Sequence, residues 1–252
     1  MKKIITIIFS IAIFFIIWGV LYKVENHEVI IPSINSTFSE IGNIVSSDDF
    51  LETITATTIR TIIGFMLSLI LGFVLGFISG LHKNFEYFMK PYIIFMRSTP
   101  SVAIMLLALI YVKSYNVPIL VNFLICFPII YQEVISGIKS SDKSVLELAK
   151  VHQISKFTTI RYVYLPSVLS HVISGILNTI SLSFKITISS EILSIPKYGI
   201  GSSIYNSKIY LNTSEVFAWI IIIFCLSFIF DYIINLIKKH IQKEVKHANN
   251  IK

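Results

Sequence analysis

Six long apolar stretches constrain this chain more than any other feature of its sequence. A helix that crosses a bilayer needs about 20 predominantly apolar residues, and six windows come close to or exceed that length. They cover residues 4–22, 57–81, 96–112, 117–138, 167–192 and 216–237. We therefore predict an all-α integral membrane protein with six transmembrane helices.

Composition excludes the main soluble alternatives. Hydrophobic residues make up 54% of the 252 residues and charged residues 14%, whereas a soluble domain carries about 25% charged residues. Disordered chains are rich in charge, and disulfide scaffolds are rich in cysteine. Cys126 and Cys225 both lie inside apolar runs, so we interpret them as small hydrophobic side chains. The net charge of +7 has no polar scaffold on which to build a nucleic-acid surface, so we expect no nucleic-acid partner.

Lysine and arginine predict the orientation. If the amino terminus is cytoplasmic, the inner segments hold 15 of the 21 Lys and Arg residues and the outer segments hold four. Cytoplasmic loops carry such an excess, which also suits contact with lipid headgroups. We expect a multi-pass membrane protein with both termini in the cytoplasm. The first window resembles a signal peptide, but its 19 residues exceed a signal core of about 7–15 residues, which favours a retained helix.

Glycines predict how the second window packs. Gly72, Gly76 and Gly80 recur at every fourth residue, and Gly64 lies on nearly the same face of a helix. Small residues let helices approach closely in lipid, where packing drives their association. We expect this face to pack against another helix of the same chain.

Proline predicts a break in the third window. Pro100 lacks a backbone donor and disfavours helix at the residue before it. We therefore expect an interfacial helix over residues 85–97, a break at 98–100, and the third span after the break.

The inner segment between the fourth and fifth windows, residues 139–166, is longer than a helix connection needs to be. One short helix is predicted to begin near Asp142 or Ser144, where Ser144 and Glu147 form a capping-box pattern. Ser155 can cap a second one that ends before Pro166. Such a rigid segment could carry force from a soluble motor, or it could lie on the lipid as an amphipathic helix. These residues alone leave both interpretations open.

Seven positions of this segment resemble the cytoplasmic signature of binding-protein-dependent ABC importer permeases. That signature reads Glu-Ala-Ala, three residues, Gly, nine residues, an aliphatic residue, one residue, and Leu-Pro. The corresponding positions are Glu147, Leu148, Ala149, Gln153, Val163, Leu165 and Pro166. Leu148 replaces the first Ala and Gln153 replaces the Gly. A left-handed backbone at the Gly position would be costly for glutamine.

Further motifs extend the resemblance over residues 56–237, where they are similar to the nitrate/sulfonate/taurine branch of these permeases. They are Thr58-Ile-Arg60 followed by Gly64 and the later glycines, Arg97-Ser-Thr-Pro100, and Ser190-Glu191 followed by Gly199-Ile-Gly201. The resemblance implies a type I importer fold in the bacterial plasma membrane, a homodimeric pore, two cytoplasmic ATPase subunits and an extracytoplasmic substrate-binding protein.

The same resemblance implies a division of the chain into three segments with different roles. Residues 1–55 would hold the first helix and an outer loop, 56–237 the permease core, and 238–252 a basic cytoplasmic tail. Residues 142–166 would couple to the ATPase. The solute would be a small anion such as a sulfonate, taurine or nitrate, or else a vitamin precursor, handed over near residues 196–210.

The sequence assigns no catalysis to this chain. It has no G-x-x-x-x-G-K-[ST] phosphate loop, so we expect no cofactor here, with ATP and Mg²⁺ bound by the partner ATPase. A secondary transporter or a membrane enzyme are the alternatives. Neither an internal repeat nor an H-E-x-x-H or G-x-S-x-G motif supports them. A lone His171 does not make a metal site, since such sites need several converging ligands.

Charged residues inside the predicted spans need a reason, because the bilayer interior disfavours them. We predict that Arg60, Lys185 and Glu191 form an outer-gate cluster in which Glu191 neutralises one cation and the other attracts an anion. The alternative is an ion pair that only fixes helix register. We predict that the fifth span lines the pathway through Asn178, Ser181, Ser183, Thr187 and Ser189.

Overall fold

The computed structural model describes residues 2–25 and 27–250. Within them it describes the side chains of residues 6–230, except 7, 8, 11, 170, 174 and 178, and those of 232 and 236. Every regular element in these ranges is helical. The helices are α1 (Lys2–Glu25), α2 (Ile34–Val45), α3 (Phe50–Leu81), α4 (Lys83–Ser98), α5 (Ser101–Tyr111), α6 (Val117–Lys139), α7 (Lys143–Val151), α8 (Lys156–Thr159), α9 (Leu165–Ser194), α10 (Ile200–Ile209) and α11 (Thr213–Asn250).

Several of these helices can cross a membrane. Among the described residues, α3, α6, the Lys156–Ser194 run that joins α8 to α9, and Thr213–Phe230 of α11 are each long and apolar enough to do so. Helices α4 and α5 meet the same criterion only as a pair, bent by 101° at the break between them. The all-helical, multi-span architecture is confirmed. Helix α1 coincides with the first predicted window, and the count of six spans stays a prediction.

The break between α4 and α5 lies where Pro100 predicts it. Thr99 has extended backbone angles (φ −75°, ψ 127°), because the ring of the following proline crowds the helical region. The prediction of a full third span after the break is wrong. Helix α5 has 11 residues, or about 16 Å at 1.5 Å per residue, which is roughly half of the hydrocarbon core.

Helix α3 packs closely on α6 through its glycines. On the α6 side, Asn122 lies against Gly64, Ile130 against Gly72, Tyr131 and Val134 against Gly76, and Ile138 against Gly80. A Cβ built on Gly76 would lie 2.9 Å from the carbonyl oxygen of Tyr131, which is too close for a carbon atom. In lipid the hydrophobic effect does not bring helices together, because the lipid tails are as apolar as the side chains. Close van der Waals contact of this kind drives helix association instead.

Helix α9 completes the core against the same two helices. The buried side chains of this cluster are Phe65, Ile130, Val134, Ile138, Val168 and Val172. Gly137 of α6 permits the approach of α9, because a Cβ there would lie 2.7 Å from the Cα of Val168. His171 lies at this inner contact, with its Nε2 3.1 Å from the Ser140 hydroxyl.

The inner connection between α6 and α9 folds into two short helices. Of the two predicted starts, Asp142 is confirmed, because its carboxylate caps α7 by accepting a 2.8 Å hydrogen bond from the Ser144 N–H, whereas the Ser144–Glu147 capping box does not form. Asp142 has the extended backbone angles (φ −62°, ψ 116°) of an N-cap residue. The Ser155 cap is confirmed by its 3.2 Å bond from the Thr158 N–H.

The expected helix break before Pro166 is also wrong. A π-helical turn at Ile160–Tyr164 leads directly into α9. The turn shifts the backbone hydrogen-bond register, so the chain stays helical past a residue without an N–H. The result is one helical run of 39 residues from Lys156 to Ser194.

The glycine contacts predict a stability difference between two helix glycines. Gly76→Val places side-chain carbons against α6, and we expect it to lower stability by about 1–3 kcal/mol, as overpacking does. Gly19→Val in α1 is the matched control, because nothing lies within 4 Å of a Cβ there. Thermal unfolding in detergent, followed by size-exclusion chromatography, measures both variants. Equal unfolding midpoints would contradict the packing role of Gly76.

Candidate functional site

A buried ion pair joins α3 and α9 in the half of the molecule that is predicted to face outward. Arg60 Nη1 and Glu191 Oε1 are 2.5 Å apart, and the two side chains are 1% and 0% exposed. The same Arg60 nitrogen donates to the Tyr198 carbonyl oxygen at 2.7 Å. The Arg60 Cζ also lies 4.5 Å from the centroid of the Tyr115 ring. The guanidinium therefore has an anion, a carbonyl and an aromatic face in place of water.

Glu191 accepts further hydrogen bonds that tie in α10. The Thr57 hydroxyl donates to Glu191 Oε2 at 2.9 Å, and the Gly201 N–H donates to the same oxygen at 3.1 Å. Thr57 Oγ1 in turn accepts from the Ile200 N–H at 2.9 Å. Thr57 and Glu191 thus satisfy two backbone donors at the start of α10, where a carboxylate also suits the helix dipole. We call Thr57, Arg60, Glu191 and backbone 198–201 the outer polar network.

The two glycines of the Gly199-Ile-Gly201 motif make this approach possible. A Cβ on Gly199 would lie 2.8 Å from the Glu191 carboxylate, and one on Gly201 would lie 2.6 Å from the Glu191 Cβ. Any side chain at either position would push α10 away from α9. The spacing of this motif after Ser190-Glu191 therefore has a steric reason in the fold.

The structure joins two of the three charged residues expected at the outer gate. Lys185 is exposed and lies outside the outer polar network. It precedes Glu191 by six residues, which is about 9 Å along the helix axis. At 3.6 residues per turn those six residues also turn it well away from the face that meets Arg60. Arg60 and Glu191 pair across helices, while Lys185 points elsewhere.

The predicted lining residues of α9 divide into two groups. Ser183 and Thr187 are buried, and the Asn122 amide donates to Thr187 Oγ1 at 3.3 Å and to the Thr61 carbonyl at 3.1 Å. These two residues therefore face the helix core. Ser189 is exposed and Ser181 is half-buried. The Asn178 side chain lies outside the described residues.

Sequence reasoning missed Thr57 and Asn122 as members of polar contacts. Thr57 precedes Arg60 by three residues, so the two share a helix face. Asn122 is an amide with only apolar neighbours on either side in its window, and such a group needs partners in lipid. Both signals are present in the sequence, but neither identifies the partner helix.

At the face that the charge bias predicts to be cytoplasmic, α7 divides its side chains between the core and the exposed surface. Ala149 is buried, whereas Leu148 is 58% and Val151 is 76% exposed. Glu147 is also exposed. Val163 and Leu165 are half-buried on the helical run beyond, and Pro166 is exposed. A groove of about 590 Å³ separates α7 from the inner end of α3, lined by Leu81, His82, Leu146, Ala149, Gln153 and Tyr164 among others.

The turn between α7 and α8 has the left-handed residue that the motif glycine would supply. Gln153 has φ 53°. Its N–H donates to the Lys150 carbonyl at 3.1 Å, and the Ile154 N–H donates to the Ala149 carbonyl at 2.9 Å. This pair of bonds is the Schellman motif, in which glycine is the usual residue at the Gln153 position. The tight turn therefore forms without glycine, with a strained glutamine in its place.

Breaking the buried ion pair is expected to destabilise the protein strongly. Glu191→Ala leaves Arg60 as an unpaired buried cation, for which we expect a loss of about 3–5 kcal/mol. The double variant Arg60→Met/Glu191→Leu should lose less than Glu191→Ala. Glu86→Ala, which breaks the exposed 2.7 Å pair with Lys139, is the control and should lose at most about 1 kcal/mol. The measurement is thermal unfolding in detergent. If Glu191→Ala lost no more stability than this control, the stabilising role of the pair would be refuted.

The strained backbone at Gln153 predicts the effect of a glycine at this position. Gln153→Gly should keep or raise stability by up to about 1 kcal/mol, because glycine adopts the left-handed conformation without strain. Gln153→Val should lower it, since a β-branched residue tolerates that conformation least. His152→Gly is the control, because His152 has φ −85° and gains nothing from glycine. If Gln153→Gly and His152→Gly were equally destabilising, the strain argument would be wrong.

Comparison with known proteins identifies the family of this chain. The family model described as binding-protein-dependent transport system inner membrane component matches residues 68–245. The chain is 26% identical over 208 residues to a Bacillus subtilis (strain 168) protein provisionally named aliphatic sulfonates transport permease protein SsuC. The match covers 82% of this chain and 74% of that protein.

Solved structures share the fold. A crystal structure of an amino acid ABC transporter with histidines matches with a TM-score of 0.63 at 14% identity, over 74% of this chain and 91% of that one. The MetNI methionine ABC transporter in inward-facing conformations matches with a TM-score of 0.57 at 14% identity, over 75% and 93%. The chain therefore belongs to the binding-protein-dependent transport system inner membrane components and is a permease of an ABC importer, whose ATPase is a separate subunit.

Proposed function

We propose that two copies of this permease form a pathway for a small organic anion of the sulfonate class, driven by two cytoplasmic ATPase subunits that dock on α7. The observation that carries the coupling part is the exposed apolar surface of α7, with Leu148 and Val151 facing away from the core. The name of the Bacillus subtilis relative supports the sulfonate class.

The connections of α7 suit it to transmit motion. Three residues, Ser140 to Asp142, separate α7 from the inner end of α6. On its other side the Schellman turn at Gln153 leads into the helical run that ends at Ser194. Both links are short, so a displacement of α7 would move α6 and α9. These two helices, with α3, form the packed core of the molecule.

The charge distribution supports the orientation that this function needs. With both termini in the cytoplasm, α7 and the basic tail 238–252 lie on the inner side. Helices α2 and α10 then lie on the outer side, where an extracytoplasmic binding protein would deliver solute near residues 196–210. ATP and Mg²⁺ would be bound by the partner ATPase, and this chain would hold no cofactor. The permease core would span residues 56–237.

The docking role of α7 predicts a loss of coupling. Leu148→Asp and Val151→Asp place a charge on the proposed contact, and we expect each to weaken co-purification of the ATPase and lower solute-stimulated ATP hydrolysis by roughly tenfold or more, as for an interface hot spot. Leu51→Asp is the control, because Leu51 is also exposed but lies at the outer end of α3. Full stimulation in both α7 variants would refute docking at this surface.

The solute class is tested in proteoliposomes that contain the permease, its ATPase and its binding protein. We expect ATP-dependent uptake of labelled taurine or ethanesulfonate. Nitrate and a thiazole-type vitamin precursor serve as comparison solutes. Uptake of the vitamin precursor without uptake of either sulfonate would refute the sulfonate class, and uptake by the permease alone under an ion gradient would refute ATPase coupling.

A further inference from the structure

Lys185 lies on an exposed stripe of a membrane-spanning helix. Leu182, Lys185, Ser189 and Leu193 of α9 are all exposed. They recur at intervals of three or four residues, so they share one face of the helix. This face points away from the contacts with α3 and α6, which bury Ser183 and Thr187.

The contact between α6 and α9 gives the depth of this stripe below the outer end of α6. Asn122 donates to Thr187, so the two residues lie at the same level. Asn122 follows the start of α6 at Val117 by five residues, or about 8 Å. Lys185 precedes Thr187 by two residues and lies about 3 Å deeper. The lysine therefore sits about 11 Å below the outer end of α6, inside the outer half of an approximately 30 Å hydrocarbon core.

A lysine at this depth needs a counter-charge or water. An uncompensated lysine costs about 2.5–3.5 kcal/mol at the centre of a spanning helix on insertion scales. Within the described side chains no carboxylate forms an ion pair with Lys185. Glu191, the nearest acidic residue along α9, is already bound to Arg60, Thr57 and the Gly201 N–H.

A second copy of the chain brings no suitable carboxylate either. Apart from Glu191, the acidic residues of the predicted spans are Glu133 and Asp231. Glu133 follows Val117 by 16 residues and Asp231 follows Thr213 by 18, which places both about 24–27 Å below the outer ends of their helices. The remaining acidic residues lie in the segments outside the spans. No acidic side chain of the predicted spans is therefore placed to balance Lys185, which leaves water or a bound anion for that role.

We propose that Lys185 lines the solute pathway and binds the anionic head of the solute, with the Ser189 hydroxyl one turn above it. This inference rests on the proposed importer of small anions and names the residue that selects for negative charge. In a homodimer two such lysines would face the pathway. The ammonium would lie in water when the pathway is open and would pair with the solute oxygen atoms when solute passes.

Cysteine accessibility tests the location of the stripe without reference to transport. The complete importer in proteoliposomes carries Cys126→Ser and Cys225→Ser, and then Lys185→Cys, Ser189→Cys or Phe224→Cys. Phe224 is the lipid control, since it is 71% exposed on the apolar helix α11. Methanethiosulfonate ethylsulfonate, a membrane-impermeant anion, reacts only with a hydrated thiol that can ionise.

We expect the cysteines at 185 and 189 to react roughly tenfold or more faster than the cysteine at 224, because a thiol in lipid stays protonated. We also expect taurine delivered by the binding protein to slow the reaction at 185. Equal, slow reaction at 185 and 224 would place Lys185 against lipid and overturn the inference.

Transport by charge variants tests the recognition of the anion. Lys185→Gln should reduce the initial rate of taurine uptake by roughly tenfold, the loss expected for one charged hydrogen bond, whereas Lys185→Arg should retain most of it. Lys113→Gln removes an exposed outer lysine between α5 and α6 and should transport normally. Wild-type uptake by Lys185→Gln would overturn the inference. Failure of the wild type to carry any sulfonate would instead overturn the proposed solute class, and the cysteine reactivities would still decide where Lys185 lies.

Discussion

The buried pair of Arg60 and Glu191 sets the geometry of the outer half of this permease. Two charges without water must meet each other and gain further polar contacts, because neither can be left unpaired without a large loss of stability. Here the partners come from three elements: α3, α9 and the start of α10. The pair therefore fixes the axial position of α9 against α3 and holds α10 at the outer face. The depth of Lys185 is set separately, by the contact of Asn122 on α6 with Thr187 on α9.

The apolar windows and the polar signals of the sequence predicted different parts of this arrangement. Hydropathy located the spanning segments, since length and apolar character are properties of a single helix. Pro100 located the break, because its effect on Thr99 is local. The short α5 was beyond reach of a hydropathy window, which cannot distinguish one straight span from a pair of helices bent by 101°. Pro166 failed as a stop signal because the preceding π-helical turn is not encoded by any simple residue pattern.

The site shows the same limit on a finer scale. Arg60, Lys185 and Glu191 stood out because charge in an apolar window is conspicuous, but sequence spacing gives the height of a residue on its helix and not which neighbour it meets. Thr57 and Asn122 carry no charge and were overlooked for that reason, although each bridges two helices. At the inner face the loop motif was recognisable. Gln153 in the left-handed conformation shows that the backbone geometry of a turn can persist without its usual glycine.

Under the proposed coupling, the helical run from Lys156 to Ser194 would set the scale of the movement that ATP hydrolysis in the partner drives. Its 39 residues extend about 58 Å at 1.5 Å per residue, nearly twice the thickness of the hydrocarbon core. A rod of that length that tilts by about 10° displaces one tip relative to the other by roughly 10 Å. Because the polar contacts of Glu191 are close to the far tip, a modest rocking at the end near α7 would be enough to shear or re-form them. Closure at the outer end and nucleotide-driven rocking near α7 would then be coupled through this one helical run.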